Sequence, residues 1–207
     1  MAAAHEGLLS SFLRRRRILE ALRHLSGRVL DYGCGVGELA GHVLPDLYLG
    51  VDKDESRLDA ARRRHPGHRF LKADKPQQVD AGHFDTIVLL AVIEHVPAPA
   101  EFLAGLAGLL TEHGHLVVST PHPSYDAIYE FGVKLGFFSH TALEEHQDLI
   151  GLDQMQRICS EAGLSVAQYR RFLFFANQLF LVQPLRRGVT GRPVNRPSGA
   201  LRLEGLV

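Results

Sequence analysis

Apolar positions along this chain change their period several times, and each change predicts an element. Leu8, Leu9, Phe12, Leu13, Ile18, Leu19, Leu22 and Leu25 recur at helical spacing, with Ser10 or Ser11 suited to a helix start and Gly27 beyond its end. Val29 and Leu30 form a short apolar run that ends in Asp31. The run 47–51 (LYLGV) ends in Asp52, and residues 68–73 end at Asp74. Each of these three reads as a strand. Residues 55–65 form a charged helix pattern with Leu58, Ala60 and Ala61 inward, stopped by Pro66 and Gly67. Residues 84–90 (FDTIVLL) are almost continuously apolar, as a central parallel strand covered on both faces should be. Pro97 and Pro99 open a helix over 100–110, and 114–120 reads as the fifth strand. A helix over 151–163 turns Leu152, Met155, Ile158 and Cys159 inward, and 164–169 with 174–182 form a closing antiparallel pair. Residues 121–150 have no clean period.

Composition adds bounds to this α/β pattern. The chain has 207 residues, which suits one domain with a sizeable core. We expect that domain over 1–183, with the N-terminal helix at 8–25 and an irregular insert at 121–150. The tail 184–207, rich in Pro, Gly and Arg, is expected to be loosely ordered. Apolar residues at 45% and charged residues at 22% describe an ordinary globular protein. Lys plus Arg equals Asp plus Glu, 23 each, so no global field favours nucleic acid or an acidic membrane. Cys34 and Cys159 have no CxxC partner and suggest neither a disulfide framework nor a zinc site, and no histidine pair has convincing ligand spacing. No metal is expected. The N-terminus lacks the signature of a signal peptide, and no apolar run approaches the roughly 20 residues that span a bilayer. The expectation is a cytoplasmic protein with reduced thiols.

The candidate chemistry lies in residues 28–39, RVLDYGCGVGEL. A strand ends in Asp31, glycines follow at 33, 35 and 37, and 38–43 is compatible with a helix start. Glycine takes positive φ without a Cβ clash and lets a ligand lie against bare backbone where N–H groups point outward. Asp52 stands at the tip of the next strand, roughly 20 residues on, the spacing at which a carboxylate grips a ribose diol. Together these make a nucleoside site. Cys34, inside the turn, reads as a small packing residue.

VLDYGCGVG, GVDKDE, FDTIVLLAVIEHV and LLTEHGHLVVSTPHP, in that order, resemble the motifs of class I S-adenosylmethionine-dependent methyltransferases. The glycine pattern is D-x-G-x-G-x-G, not the dinucleotide G-x-G-x-x-G. The resemblance spans about residues 25–182. It implies a Rossmann-like doubly wound sheet of seven strands, mostly parallel with an antiparallel C-terminal strand and helices on both faces. It also implies S-adenosylmethionine as cofactor and S-adenosylhomocysteine as product. Asp31 would buttress the turn and reach the cofactor's amino group, Gly33, Gly35 and Gly37 would leave room for its methionine part and ribose, and Asp52 would take the ribose hydroxyls. Lys53 and Leu90 would border the adenine and the methionine part. The resemblance gives Asp74 the adenine amino group, with a helix N-cap before Pro76 as the alternative. It also places the N-terminal helix near the site, where one of Arg14 to Arg17 could meet a carboxylate. The alternative for that run is a solvated helix face.

A methyltransferase must place a nucleophile in line with the methyl–sulfur bond and exclude water. An oxygen acceptor also needs its proton removed, a task that suits histidine. His95, after the fourth strand, is the first candidate base, and packing against the backbone is its alternative. His146, in the insert, is the second. His122 and Tyr125 are candidate substrate contacts. The last third resembles small bacterial methyltransferases that act beside sugar-modifying and natural-product enzymes, which implies a small-molecule acceptor, methylated at oxygen. A monomer or homodimer is expected, with neither nucleic acid nor membrane as partner. The competing readings are an NAD-dependent dehydrogenase, a non-catalytic S-adenosylmethionine-binding protein, a nucleic-acid module using Arg14 to Arg17, and a lipid-directed enzyme using residues 128–138.

Overall fold

The computed structural model describes residues 8–123, 149–173 and 175–185. The strands are β1 (Val29–Tyr32), β2 (Tyr48–Asp52), β3 (Arg69–Lys72), β4 (Phe84–Leu90), β5 (Leu110–Pro121), β6 (Leu164–Phe172) and β7 (Asn177–Pro184). They form one seven-stranded sheet in the order β3-β2-β1-β4-β5-β7-β6. Neighbours from β3 through β5 are parallel, whereas β7 runs antiparallel to both β5 and β6. This is the sheet that the resemblance implies, with strands where the apolar runs place them. β4 sits in the middle and is buried along nearly its whole length, while β3 at the edge is largely exposed or half-buried.

Among the described residues four α-helices accompany the sheet: α1 (Leu8–Ala21), α2 (Glu55–Arg64), α3 (Pro99–Ala107) and α4 (Leu152–Glu161). Strand side chains alternate between two clusters. Leu30, Ile87, Leu116, Val118 and Phe180 pack with Leu103 and Leu106 of α3 and Met155 and Ile158 of α4. Val29, Val88, Val117 and Leu179 pack with Ile18 and Ala21 of α1 on the other face. The helix starts follow local chemistry. Asp54 caps α2, its Oδ1 accepting from the Ser56 amide at 2.9 Å, and Arg62, Arg63 and Arg64 complement the dipole at the far end. Pro99 stands in the first turn of α3.

Several boundaries differ from the pattern. The helix over 38–43 is absent: residues 40–42 form a single 3-10 turn. Gly37 adopts φ +75°, and the bonds here close three residues back, from Ala40 N to Gly37 O and from Val43 N to Ala40 O. The third helix ends at Ala107, because Leu110 is already paired with Phe84 and starts β5. In α1, Ile18 and Ala21 face the core, whereas Phe12 and Leu19 are exposed. Among the described residues no helix is long and apolar enough to cross a membrane. Most of the insert and of the tail lies outside the described residues.

Candidate functional site

β1 and β4 lie side by side in the middle of the sheet, and the chain leaves them toward opposite edges. Their C-terminal ends therefore bound the crevice at which open α/β sheets take ligands. The loop after β1 occupies this crevice. Gly33, Gly35 and Gly37 all have positive φ, at +81°, +53° and +75°. Gly33 is also a point of close approach, because a Cβ there would stand 2.4 Å from Cγ2 of Val92, just beyond β4.

The loop is tied to β2. The amides of Gly33 and Cys34 both donate to the Val51 carbonyl, at 2.7 and 2.9 Å. The Gly35 amide donates to Asp52 Oδ2 at 2.8 Å, and the Asp54 amide donates to Asp52 Oδ1 at 3.0 Å. Asp52 thus fixes the glycine loop and the turn into α2 together. A carboxylate offers about four acceptor sites, so one on each oxygen remains for a ligand.

Asp31 is buried, and Tyr48 Oη donates to its Oδ2 at 2.7 Å. The register explains the contact: Asp31 pairs with Gly50, which places Tyr48 diagonally on the same face. Burial pushes the Asp31 carboxyl up to about 7, the Tyr48 hydrogen bond opposes that rise, and the negative charge of Asp52 adds to it. Cys34 is a buried thiol pushed far above its ordinary value by burial and by Asp31 and Asp52, which suits packing and not nucleophilic chemistry.

A cavity of about 270 Å³ opens beside the loop, lined by Asp31, Gly33, Gly35, Glu38 and Leu90, with Arg14 and Arg17 from α1. The sequence pattern could not choose among the four arginines. The helix chooses Arg14 and Arg17, three residues apart on one face. Arg14 Nη1 pairs with Glu38 Oε1 at 3.2 Å, and Arg17 Nε donates to Asn177 Oδ1 at 2.8 Å. Glu38 and Tyr48 escaped the sequence reading, although Glu38 directly follows the last loop glycine.

Lys53 and Asp74 are exposed. Asp74 does not cap a helix; instead the Gln78 side chain accepts from the Asp74 and Lys75 amides, at 2.9 and 3.2 Å. Tyr32 Oη is buried without a hydrogen-bond partner. Its ionisation is pushed up by burial and then by the charges of Asp74 and Asp52.

A second set of polar groups stands at the ends of β4, β5 and β7. Ser119 pairs with Leu90 of the cavity wall, and Asn177 pairs with Pro121. Ser119, Thr120 and Asn177 are fully buried. Ser119 Oγ, Thr120 Oγ1, Asn177 Nδ2 and Glu94 Oε2 are all enclosed without a hydrogen-bond partner. His95, on the 3-10 turn of Ile93–His95, is exposed and does not line the cavity. His122 is buried, and burial and then the charge of Arg171 lower its basicity. Tyr125 and His146 lie outside the described residues. Of the expected site residues, Asp31, Gly33, Gly35 and Leu90 line the cavity, Asp52 joins them through the Gly35 amide, and Gly37, Lys53, Asp74 and His95 lie outside the cavity wall.

Comparison with known proteins gives this geometry a context. Residues 6–169 match the family model described as a methyltransferase domain. The ubiquinone biosynthesis O-methyltransferase of Aromatoleum aromaticum is 29% identical over 158 residues, covering 68% of this chain and 65% of that protein. The trans-aconitate 2-methyltransferase of Rhizobium etli is 32% identical over 128 residues, covering 60% of this chain and 45% of that protein. The chain therefore spans between about half and two thirds of the length of these curated relatives. The magnesium protoporphyrin IX methyltransferase of Synechocystis, solved with bound SAH, superposes with a TM-score of 0.61 at 19% identity over 87% of this chain and 89% of that one, a likeness of fold.

Proposed function

Because this chain belongs to the methyltransferase domain family, we propose that it binds S-adenosylmethionine and transfers the methyl group to a small-molecule acceptor, at oxygen. The observation that carries the reading is the loop after β1, held open by three positive-φ glycines and tied to Asp52 at the β1–β4 crevice. The free lone pairs of Asp52 suit a ribose diol. Asp74, exposed at the end of β3, takes the adenine amino group. Arg14 and Glu38, already paired across the cavity, match the carboxylate and ammonium of the methionine part, and Asp31 adds negative charge beneath the cation. Leu90 closes the wall.

Transfer itself asks for placement. The acceptor oxygen's lone pair forms a bond to the methyl carbon as the methyl–sulfur bond breaks and its electron pair stays on sulfur. The names of the curated relatives, an O-methyltransferase among them, support oxygen as the accepting atom. The crevice supports a small molecule, and the two free, buried thiols Cys34 and Cys159 suit a reducing, cytoplasmic setting.

Incubation with methyl-labelled S-adenosylmethionine and a panel of phenols, hydroxy acids and amines tests the reading. Acceptor-dependent release of S-adenosylhomocysteine with the label on oxygen is expected. Binding of the cofactor with no transfer to any acceptor would make this a non-catalytic binder.

A further inference from the structure

We propose that Glu94, on the turn that follows β4, takes the proton from the acceptor's hydroxyl during transfer. The inference rests on the cofactor reading above and assigns the residue that completes the reaction. Four observations support it. Glu94 lies four residues beyond Leu90, which lines the cavity, at the C-terminal end of the same central strand. It keeps part of its surface open while its Oε2 is enclosed and meets no donor. An enclosed, unpartnered carboxylate oxygen costs about 1–3 kcal/mol or more unless a ligand supplies the missing hydrogen bond. Two other enclosed hydroxyls without partners, those of Ser119 and Thr120, stand at the end of the adjoining strand β5.

The electrostatics suit the role. Burial raises the Glu94 carboxyl above the ordinary glutamate range, while its own backbone amide, the adjacent His95 and Arg17 of α1 pull it back. A carboxylate held above its usual range is a stronger base yet still ionised above its own titration point. In the step, the acceptor O–H bond breaks, its proton goes to Glu94, and the oxygen carries the methyl group away as an ether or ester. His95, the next residue, is exposed.

The test uses the full chain with methyl-labelled S-adenosylmethionine. The probes are catechol and 3,4-dihydroxybenzoate as hydroxyl acceptors and aniline as an amine. Glu94→Gln is expected to lower kcat on the hydroxyl probe at least 100-fold, leave the affinity for S-adenosylhomocysteine within twofold, and flatten the acid limb of the pH–kcat profile. In the wild type, activity rises with pH as Glu94 ionises. Unchanged kcat in Glu94→Gln overturns the proposal, as does an unmoved acid limb in that variant. A wild type that binds cofactor but methylates aniline and neither hydroxyl probe also overturns it, and so does one that methylates none of the three, while the cofactor reading stands. A wild type that binds no S-adenosylmethionine overturns that reading instead.

Discussion

The two ends of the crevice differ in how fully their polar groups are satisfied before any ligand arrives. At the glycine-loop end, the amides of Gly33, Cys34 and Gly35 and the carboxylates of Asp31 and Asp52 already have partners at 2.7–3.0 Å, with Tyr32 Oη the exception. At the other end, Glu94, Ser119, Thr120 and Asn177 each hold an enclosed atom with none. A site that binds one ligand of fixed shape gains by being set in advance, because less ordering is left to pay for on binding. The unpartnered groups fit the proposal that a second, more variable ligand supplies what is missing at that end.

Removing the tie at the finished end should have the largest effect. Asp52→Ala withdraws the acceptor of two loop amides and the groups offered to the diol. We expect cofactor affinity to fall about 100-fold by calorimetry and stability to fall by about 1–3 kcal/mol in urea. A variant that loses stability but keeps affinity would make Asp52 a loop tie only.

The next effect is one of pH. The Asp31 carboxyl titrates near 7 in the folded protein against about 3.9 when unfolded. Its folded value is raised, so the stability linked to its proton is present below about pH 4 and is lost as pH rises through 7. Cofactor affinity should run the other way, because a cationic ligand favours the ionised carboxylate. Below pH 7 it should fall by up to about tenfold per unit. Asp31→Asn should flatten both trends, and an affinity independent of pH between 6 and 8 would remove Asp31 from the cation's surroundings.

Smaller effects probe the open end. Ser119→Ala deletes an enclosed hydroxyl without a partner, so stability should rise by about 1 kcal/mol while cofactor affinity holds and acceptor KM rises severalfold. A loss of stability would mean that Ser119 is satisfied within the protein. The smallest effect is expected for the exposed His95: His95→Ala should change kcat less than about threefold, and a 100-fold loss would return the base to histidine.

Much of this division could be read in the amino-acid order. The runs ending at Asp31, Asp52 and Leu90 are strands because a buried parallel sheet demands near-continuous apolar residues. Glycines at 33, 35 and 37 signal the loop because backbone conformation restricts residue choice there. The helix expected over 38–43 failed for the same cause, since the positive φ of Gly37 and the tight turns after it admit only a 3-10 turn. Contacts across the sheet were hidden. Nothing local joins Tyr48 to Asp31 or Arg17 to Asn177, because strand register and the docking of α1 create those neighbours. His95 drew attention as a residue type suited to proton transfer, and only burial distinguishes it from the glutamate beside it.

The account turns on what the glycine loop holds. Calorimetric titration of the purified chain with S-adenosylmethionine, S-adenosylhomocysteine and NAD in parallel addresses this directly. Micromolar binding of the first two with none of the third is the predicted result. Binding of NAD without either sulfur compound would contradict it.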